Sequence, residues 1–213
     1  MSQAMPDLRP QLFAAERWYA DLVRGLDPTR LSEPTPCPDF DIRALLAHMS
    51  SVLHKVVALA EDHADPYRGL HSDPTAMAAA AEELARQEVD GRSPQEMADR
   101  VQARIAQAEA AWTDTVLDED IQLGWGPVLP GRIVAGIYLM EILSHGWDLA
   151  TATGQPSEAP IEVATIGAQM ARIMLPEEPR GIADGVPFGP VVTSAPDAGP
   201  TEQLVNWTGR PSR

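Results

Sequence analysis

The amino-acid sequence predicts an all-α protein. Residues that start and stop helices recur along the chain, and the apolar residues between them repeat at helical spacing. Alanine is abundant, and clusters of β-branched residues are too short to predict a sheet. With 213 residues, 44% of them hydrophobic, the chain can bury a full core, so we expect one domain over residues 1–213.

A proline-rich loop separates the first two predicted helices. Apolar residues recur at helical spacing over residues 11–26, and this helix must end before Pro28. Four prolines lie between residues 27 and 39, which favours extended backbone there. Asp41 or Asp39 then caps a second helix, which contains His48.

Two further helix starts follow in the middle of the chain. Asp73 and Pro74 form an N-cap followed by a first-turn proline, and they open an alanine-rich helix that continues towards Val89. Ser93 and Glu96 have the spacing of a capping box, with a proline between them at the first helical position. The sequence therefore predicts a second helix directly after the first.

The second half of the chain begins with a turn-rich connection over residues 118–132. A long apolar helix follows, carries Glu141 and His145, and stops at Gly154. The spacing predicts another helix over residues 161–174.

The C-terminal tail, residues 176–213, is predicted to be irregular. It contains seven of the 20 prolines, and we expect only a short helix near residues 201–207. Its apolar residues are too numerous for a disordered end, so we expect the tail to pack on the helical bundle.

A candidate metal site lies in the long apolar helix. Glu141 and His145 are four residues apart and therefore lie on one helix face, where burial without a partner would be costly. His48 lies in an equally apolar helical stretch and is a third candidate ligand. Two imidazoles and one carboxylate form the ligand set of many catalytic zinc sites, which keep one position open. The alternative for each residue is an ordinary core side chain.

Three other residues near these motifs have competing interpretations. Asp148 follows His145 by three residues and could hydrogen-bond a ligand imidazole, or it could be an ordinary polar residue. We interpret Cys37, the only cysteine, as a small buried residue, and its isolation rules out an intramolecular disulfide. Trp147 is interpreted as a packing residue.

The charge of the chain narrows its range of partners. There are 16 basic and 31 acidic residues, and a net charge of −15 opposes binding to nucleic acid or to an anionic membrane surface. We find neither a signal peptide nor an uncharged apolar run of membrane-spanning length, and we therefore expect a cytoplasmic protein. A small molecule is the expected partner, and a homodimer is compatible with the sequence.

Two motifs carry a resemblance to a known family. One is Pro-Thr-Pro-Cys-Pro-Asp-Phe-Asp-Ile-Arg-Ala-Leu-Leu-Ala-His, ending at His48, and the other runs from Glu141 through His145-Gly-Trp-Asp-Leu-Ala to Gln155. Together with the ending from Phe188 to Pro211, they resemble actinobacterial DinB-like proteins. The similar branch is metal-binding and related to the N-terminal domain of mycothiol-dependent maleylpyruvate isomerase.

The resemblance implies a fold and a ligand set. The fold is a DinB-like four-helix bundle with extra short helices and an irregular tail packed on it. A divalent metal, usually Zn²⁺ with Ni²⁺ or Fe²⁺ as alternatives, would be bound by His48, Glu141 and His145. The chain leaves no room for the additional C-terminal domain of such isomerases, so the expected reaction is related to theirs rather than the same.

The resemblance also implies chemistry with a low-molecular-weight thiol such as mycothiol. We expect a metal-dependent enzyme, a thiol transferase or isomerase, that activates the thiol for transfer to, or isomerisation of, a small electrophile. A hydrolase that uses a bound water is one alternative. A non-catalytic bundle that binds a metal or small molecule, and an interaction protein whose metal only clamps two helices, are the others.

Overall fold

Four long helices form the core of the protein. The computed structural model describes residues 6–70, 72–181 and 188–211. The helices within these ranges are α1 (Arg9–Arg24), α2 (Ile42–Asp62), α3 (Pro74–Glu88), α4 (Pro94–Ala111), α5 (Gly131–Thr153), α6 (Ile161–Met174) and α7 (Pro200–Trp207). Helices α1 and α2 each pack against both α4 and α5, which produces a four-helix bundle. The all-α prediction is confirmed.

The helix starts follow the capping residues of the sequence. Asp41 caps α2, because its Oδ1 accepts a hydrogen bond of 2.8 Å from the backbone N–H of Ala44. The capping box of Ser93 and Glu96 opens α4 as predicted. Helix α1 lies two residues earlier than its predicted range of 11–26, because its first turn accommodates Pro10.

The connection before α5 contains a short hairpin that the sequence did not predict. Strands β1 (Asp120–Gln122) and β2 (Val128–Pro130) pair antiparallel, and three residues each are too few to show strand alternation. The backbone N–H of Asp65 also donates to the carbonyl of Gln122 at 2.9 Å. The hairpin therefore places the C-terminal end of α2 beside the N-terminal end of α5, and the two helices run antiparallel.

Helix α5 is the central helix of the protein and is buried on nearly all sides. A β-carbon at Gly146 would approach the ring of Trp18 to 2.2 Å, so glycine is required for α1 to pack this closely. Among the described residues, one helix, α2, is long and apolar enough to cross a membrane. However, 61% of its apolar window is buried inside the bundle, which identifies α2 as a core helix.

The described part of the tail packs on the bundle, as predicted. Helix α7 contacts α5 and α6, and the carboxylate of Glu158 accepts hydrogen bonds from the first backbone N–H groups of α7. The indole N–H of Trp207 donates to the carbonyl of Leu175 at 3.3 Å. These contacts bring the residues that follow α7 close to the C-terminal half of α5.

Candidate metal centre

The three predicted ligands meet between α2 and α5. The Nε2 atom of His48 lies 3.0 Å from Oε1 of Glu141, and Nε2 of His145 lies 3.5 Å from the same oxygen. Glu141 and His145 share a face because they are one helical turn apart, and the antiparallel packing of α2 supplies His48. The donor atoms of the three residues all lie within 4.8 Å of one another.

These distances suit a divalent ion. Ligand atoms about 2.0–2.1 Å from a tetrahedral zinc are about 3.3 Å apart, which lies between the two measured separations. The side chains of His48 and Glu141 are 25% and 33% exposed, whereas that of His145 is 8% exposed. The donor set can therefore bind a metal from the protein side and leave its outer side accessible to a small molecule.

Strong electrostatic coupling links the three side chains. Burial alone would raise the pKa of Glu141, but the charges of His145 and His48, and hydrogen bonds from both, hold that pKa well below its usual range. Burial lowers the pKa of His48 against the opposing effect of Glu141. For His145, burial is outweighed by Glu141 and Asp148, which raise the pKa to about 9. A metal ion would displace the proton of His145.

A buried ion pair orients His145 from behind. Asp148 is fully buried, and its Oδ2 lies 3.0 Å from Nδ1 of His145. Arg210 donates to both carboxylate oxygens of Asp148, at 2.7 and 2.8 Å. The ion pair keeps one proton of His145 on Nδ1, so Nε2 is the nitrogen that faces Glu141 and His48 and that would lose its proton to bind a metal.

Arg210 is the functional residue that the residue-by-residue reading of the sequence missed. It lies 62 residues after Asp148, in the segment that follows α7. The backbone amide of Arg210 donates to the carbonyl of Val205, and its Nη1 donates to Oγ1 of Thr208 at 3.1 Å. The signal available in the sequence was indirect, because a buried Asp148 requires a cation but does not identify it.

The proline-rich loop before α2 covers the other side of the site. Its ends are joined by a bridge between Pro34 and Asp41, which places the ring of Phe40 against that of His48 with centroids 4.9 Å apart. Cys37 is half-buried, and its sulfur lies within 4.8 Å of donor atoms of His145 and Asp148. Burial raises the pKa of its thiol. Asp148 is already paired with Arg210. The group formed by Cys37, His145 and Asp148 is therefore a poorer metal site than the group of His48, Glu141 and His145.

Two aromatic side chains on the same helices, His54 on α2 and Trp147 on α5, lie outside the site. His54 faces away from the three ligands, and its Nδ1 lies 2.8 Å from the hydroxyl of Tyr67. Trp147 is 3% exposed and packs in the hydrophobic core. His54 therefore serves as a matched control for histidine substitutions on α2.

Comparison with protein families gives one match over most of the chain. Residues 12–150 match the family described as the mycothiol maleylpyruvate isomerase N-terminal domain. This segment extends from α1 to the last turn of α5 and contains His48, Glu141 and His145.

The chain is also similar to two mycobacterial proteins and to two crystal structures. Two uncharacterized proteins of Mycobacterium tuberculosis, from strains CDC 1551 and H37Rv, are each 27% identical to the chain over 199 residues, covering 93% of it and 95% of each relative. A crystal structure of mycothiol-dependent maleylpyruvate isomerase covers 85% of this chain and 74% of its own, with a TM-score of 0.57 and 16% identity. A histidine-to-alanine mutant of that isomerase gives a TM-score of 0.55 at 15% identity, with the same coverage. At these identities, the likeness concerns the fold alone.

Proposed function

We propose that this chain, which belongs to the mycothiol maleylpyruvate isomerase N-terminal domain family, is a metal-dependent enzyme that activates a low-molecular-weight thiol. The thiol would be transferred to a small electrophile or would assist its isomerisation. The observation that carries this proposal is the convergence of His48, Glu141 and His145 on one partly exposed point. We further propose that the metal is zinc and that the protein acts in the cytoplasm as one domain.

The chain supplies the parts that such a reaction needs. His48, Glu141 and His145 would hold the ion, and Asp148 keeps His145 in the tautomer that presents Nε2. A divalent ion bound there would lower the pKa of a coordinated thiol and supply a thiolate at neutral pH. Phe40 shields His48 from solvent on one side, which strengthens electrostatic interactions within the site.

The partial exposure of His48 and Glu141 favours a catalytic metal site over a closed structural one. Structural zinc sites bind four protein ligands and exclude solvent, whereas catalytic sites bind three. The exposed fractions of His48 and Glu141 support entry of an external ligand. The large apolar core around α5 would hold the bundle together without a metal, which argues against a clamp.

The first experiment measures bound metal. Zinc content by plasma mass spectrometry should be close to one equivalent in the wild type and should be lost in His48→Ala and Glu141→Ala. His54→Ala is the control, because it removes a histidine of the same helix that pairs with Tyr67 instead. Circular dichroism should show unchanged helical content in all variants. Wild-type protein that takes up no zinc on titration would refute the proposal.

The second experiment distinguishes thiol chemistry from hydrolysis. In the cobalt-substituted protein, mycothiol or 2-mercaptoethanol should produce a thiolate-to-cobalt charge-transfer band. Conjugation of the thiol to a chromogenic aryl halide should then depend on Glu141. Hydrolysis of a chromogenic ester, with no band on thiol addition, would contradict the thiol proposal in favour of the hydrolase.

A further inference from the structure

The two histidines of the candidate metal centre are held in different ways. The side chain of His145 is 8% exposed, and its Nδ1 lies 3.0 Å from the buried carboxylate of Asp148. The side chain of His48 is 25% exposed, and within the described parts of the chain no group forms a hydrogen bond with its Nδ1. An imidazole without such a partner can rotate, and metal binding must then restrict that rotation. His48 therefore depends on another contact for its orientation.

The ring of Phe40 supplies that contact. It stacks on the imidazole of His48, with centroids 4.9 Å apart and ring planes inclined by 26°. It also makes an edge-to-face contact with the ring of His145, with centroids 6.0 Å apart. Both arrangements are among those that aromatic rings prefer. Ala44 lies one turn before His48 on the same helix face, and its methyl group leaves room for the ring of Phe40.

Phe40 is itself fixed by hydrogen bonds within its loop. The hydroxyl oxygen of Thr35 lies 2.8 Å from the carbonyl oxygen of Phe40 and 3.0 Å from that of Cys37. The same hydroxyl accepts the backbone N–H of Cys37 at 3.2 Å. The backbone N–H of Phe40 donates to the carbonyl of Cys37 at 3.1 Å, and that of Thr35 donates to the carbonyl of Phe40 at 3.3 Å. Residues 35–40 thus form a closed group of hydrogen bonds around one hydroxyl.

The loop is also joined to the first turn of α2. The backbone N–H of Ile42 donates to the carbonyl of Glu33 at 3.0 Å, and that of Arg43 donates to the carbonyl of Leu31 at 2.8 Å. These are N–H groups for which a helix has no internal acceptor, so the loop provides their partners. The loop and the helix that carries His48 therefore form one unit, in which the position of the Phe40 ring is defined relative to the imidazole.

We propose that Phe40 is a positioning residue of the metal centre, which holds His48 in its metal-binding orientation as Asp148 holds His145, and that Thr35 holds Phe40 in place. This inference rests on the proposed function, because it concerns the same metal ligands. The stacked ring reduces the orientations that the imidazole samples before metal binds, so less conformational freedom is lost on binding. Ordering one side chain corresponds to a change of about threefold to tenfold in affinity.

The first test measures zinc affinity by competition with a chelator. Phe40→Leu should weaken zinc binding by about threefold to tenfold. Thr35→Val, which removes the hydroxyl, should weaken it in the same direction, whereas Thr35→Ser retains the hydroxyl and should bind as the wild type does. Phe13→Leu is the matched control, because it removes a ring from the hydrophobic core at α1. It should lower the stability of the fold and leave the affinity for zinc unchanged.

The second test observes the contact directly by NMR in the metal-free wild type. The chain has five histidines, and the ring resonances of His48 and His54 can be assigned by their loss in His48→Ala and His54→Ala. A nuclear Overhauser effect should join the rings of Phe40 and His48. The ring current of Phe40 should also shift the His48 resonances upfield, and Phe40→Leu should reverse this shift without moving those of His54. The Overhauser effect decides whether the contact exists even if Phe40→Leu does not fold.

The possible outcomes separate this inference from the thiol proposal. Equal zinc affinities for the wild type and Phe40→Leu, or an equal loss in Phe13→Leu, would overturn the positioning role. A missing Overhauser effect between Phe40 and His48 would overturn it as well. By contrast, the absence of a thiolate-to-cobalt band with 2-mercaptoethanol would refute the thiol proposal and leave the order of zinc affinities intact.

Discussion

Replacement of Glu16 by glutamine should change the stability of the protein in a manner that depends on pH, and the variant should gain on the wild type as pH rises to 8. Glu16 lies on α1 and is 1% exposed, and its Oε2 has no hydrogen-bond partner within the described parts of the chain. Burial raises the pKa of Glu16 to about 8. The positive charge of Arg17 opposes this rise, and the negative charge of Glu109 adds to it. The unfolded chain should titrate near the ordinary value of 4.5.

The sign and size of the effect follow from linkage. Because the folded state retains the proton to higher pH, stability is lost as pH rises above 4.5, by about 1.4 kcal/mol per pH unit, and levels off above pH 8. The accumulated loss is about 3 kcal/mol at pH 7 and about 5 kcal/mol above pH 8. Glu16→Gln removes this loss. The buried amide adds a cost of about 1–3 kcal/mol that does not vary with pH.

Urea denaturation of the metal-free protein between pH 5 and pH 9 measures the effect. The free energy of unfolding of Glu16→Gln, minus that of the wild type, should increase steadily up to pH 8 and then remain constant. Glu83→Gln is the control, because Glu83 is exposed and pairs with Arg86 on the surface, and its difference should stay flat. A flat difference for Glu16→Gln as well would refute the reasoning.

Four further predictions concern the metal centre and α5. Because the pKa of His145 is about 9 without metal, zinc binding below pH 9 should release one proton. The apparent affinity for zinc should therefore rise about tenfold per pH unit from pH 7 to pH 9. Calorimetry in two buffers of different ionisation enthalpy measures the proton release. Asp148→Asn should weaken zinc binding by about 10–100-fold in competition with a chelator, and an unchanged affinity would remove the Asp148–His145 contact from the site. Arg210→Met leaves the buried carboxylate of Asp148 with His145 as its remaining charged partner and should lower the free energy of unfolding by about 3 kcal/mol. Gly146→Ala should lower it by about 1–3 kcal/mol, because the added methyl group meets Trp18, and thermal denaturation would detect the change.

The sequence predicted the helices well because their signals are local. The Asp41 cap, the capping box at Ser93 and the left-handed Gly154 each act within one helical turn, and each ends or begins a helix as expected. The hairpin of β1 and β2 was missed because its three-residue strands are defined by pairing and not by a periodic pattern.

The candidate site was predictable only in part, for a similar reason. Glu141 and His145 share a face through helix geometry alone, and their placement in an apolar stretch indicated a buried common partner. His48 was a plausible third ligand because its own stretch is equally apolar, and the structure brings it to 3.0 Å from Glu141. Its role as a metal ligand, like that of the other two, stays a prediction until metal is measured.

The amino-acid sequence by itself determined the helical class, the positions of the main helices and the candidate ligand pair on α5. Only the tertiary structure decided that Arg210 completes the buried pair with Asp148 and that Cys37 lies beside His145. The physical reason is one of range. Capping and helical periodicity act between residues a few positions apart, whereas these contacts depend on how whole helices and the tail pack against α5.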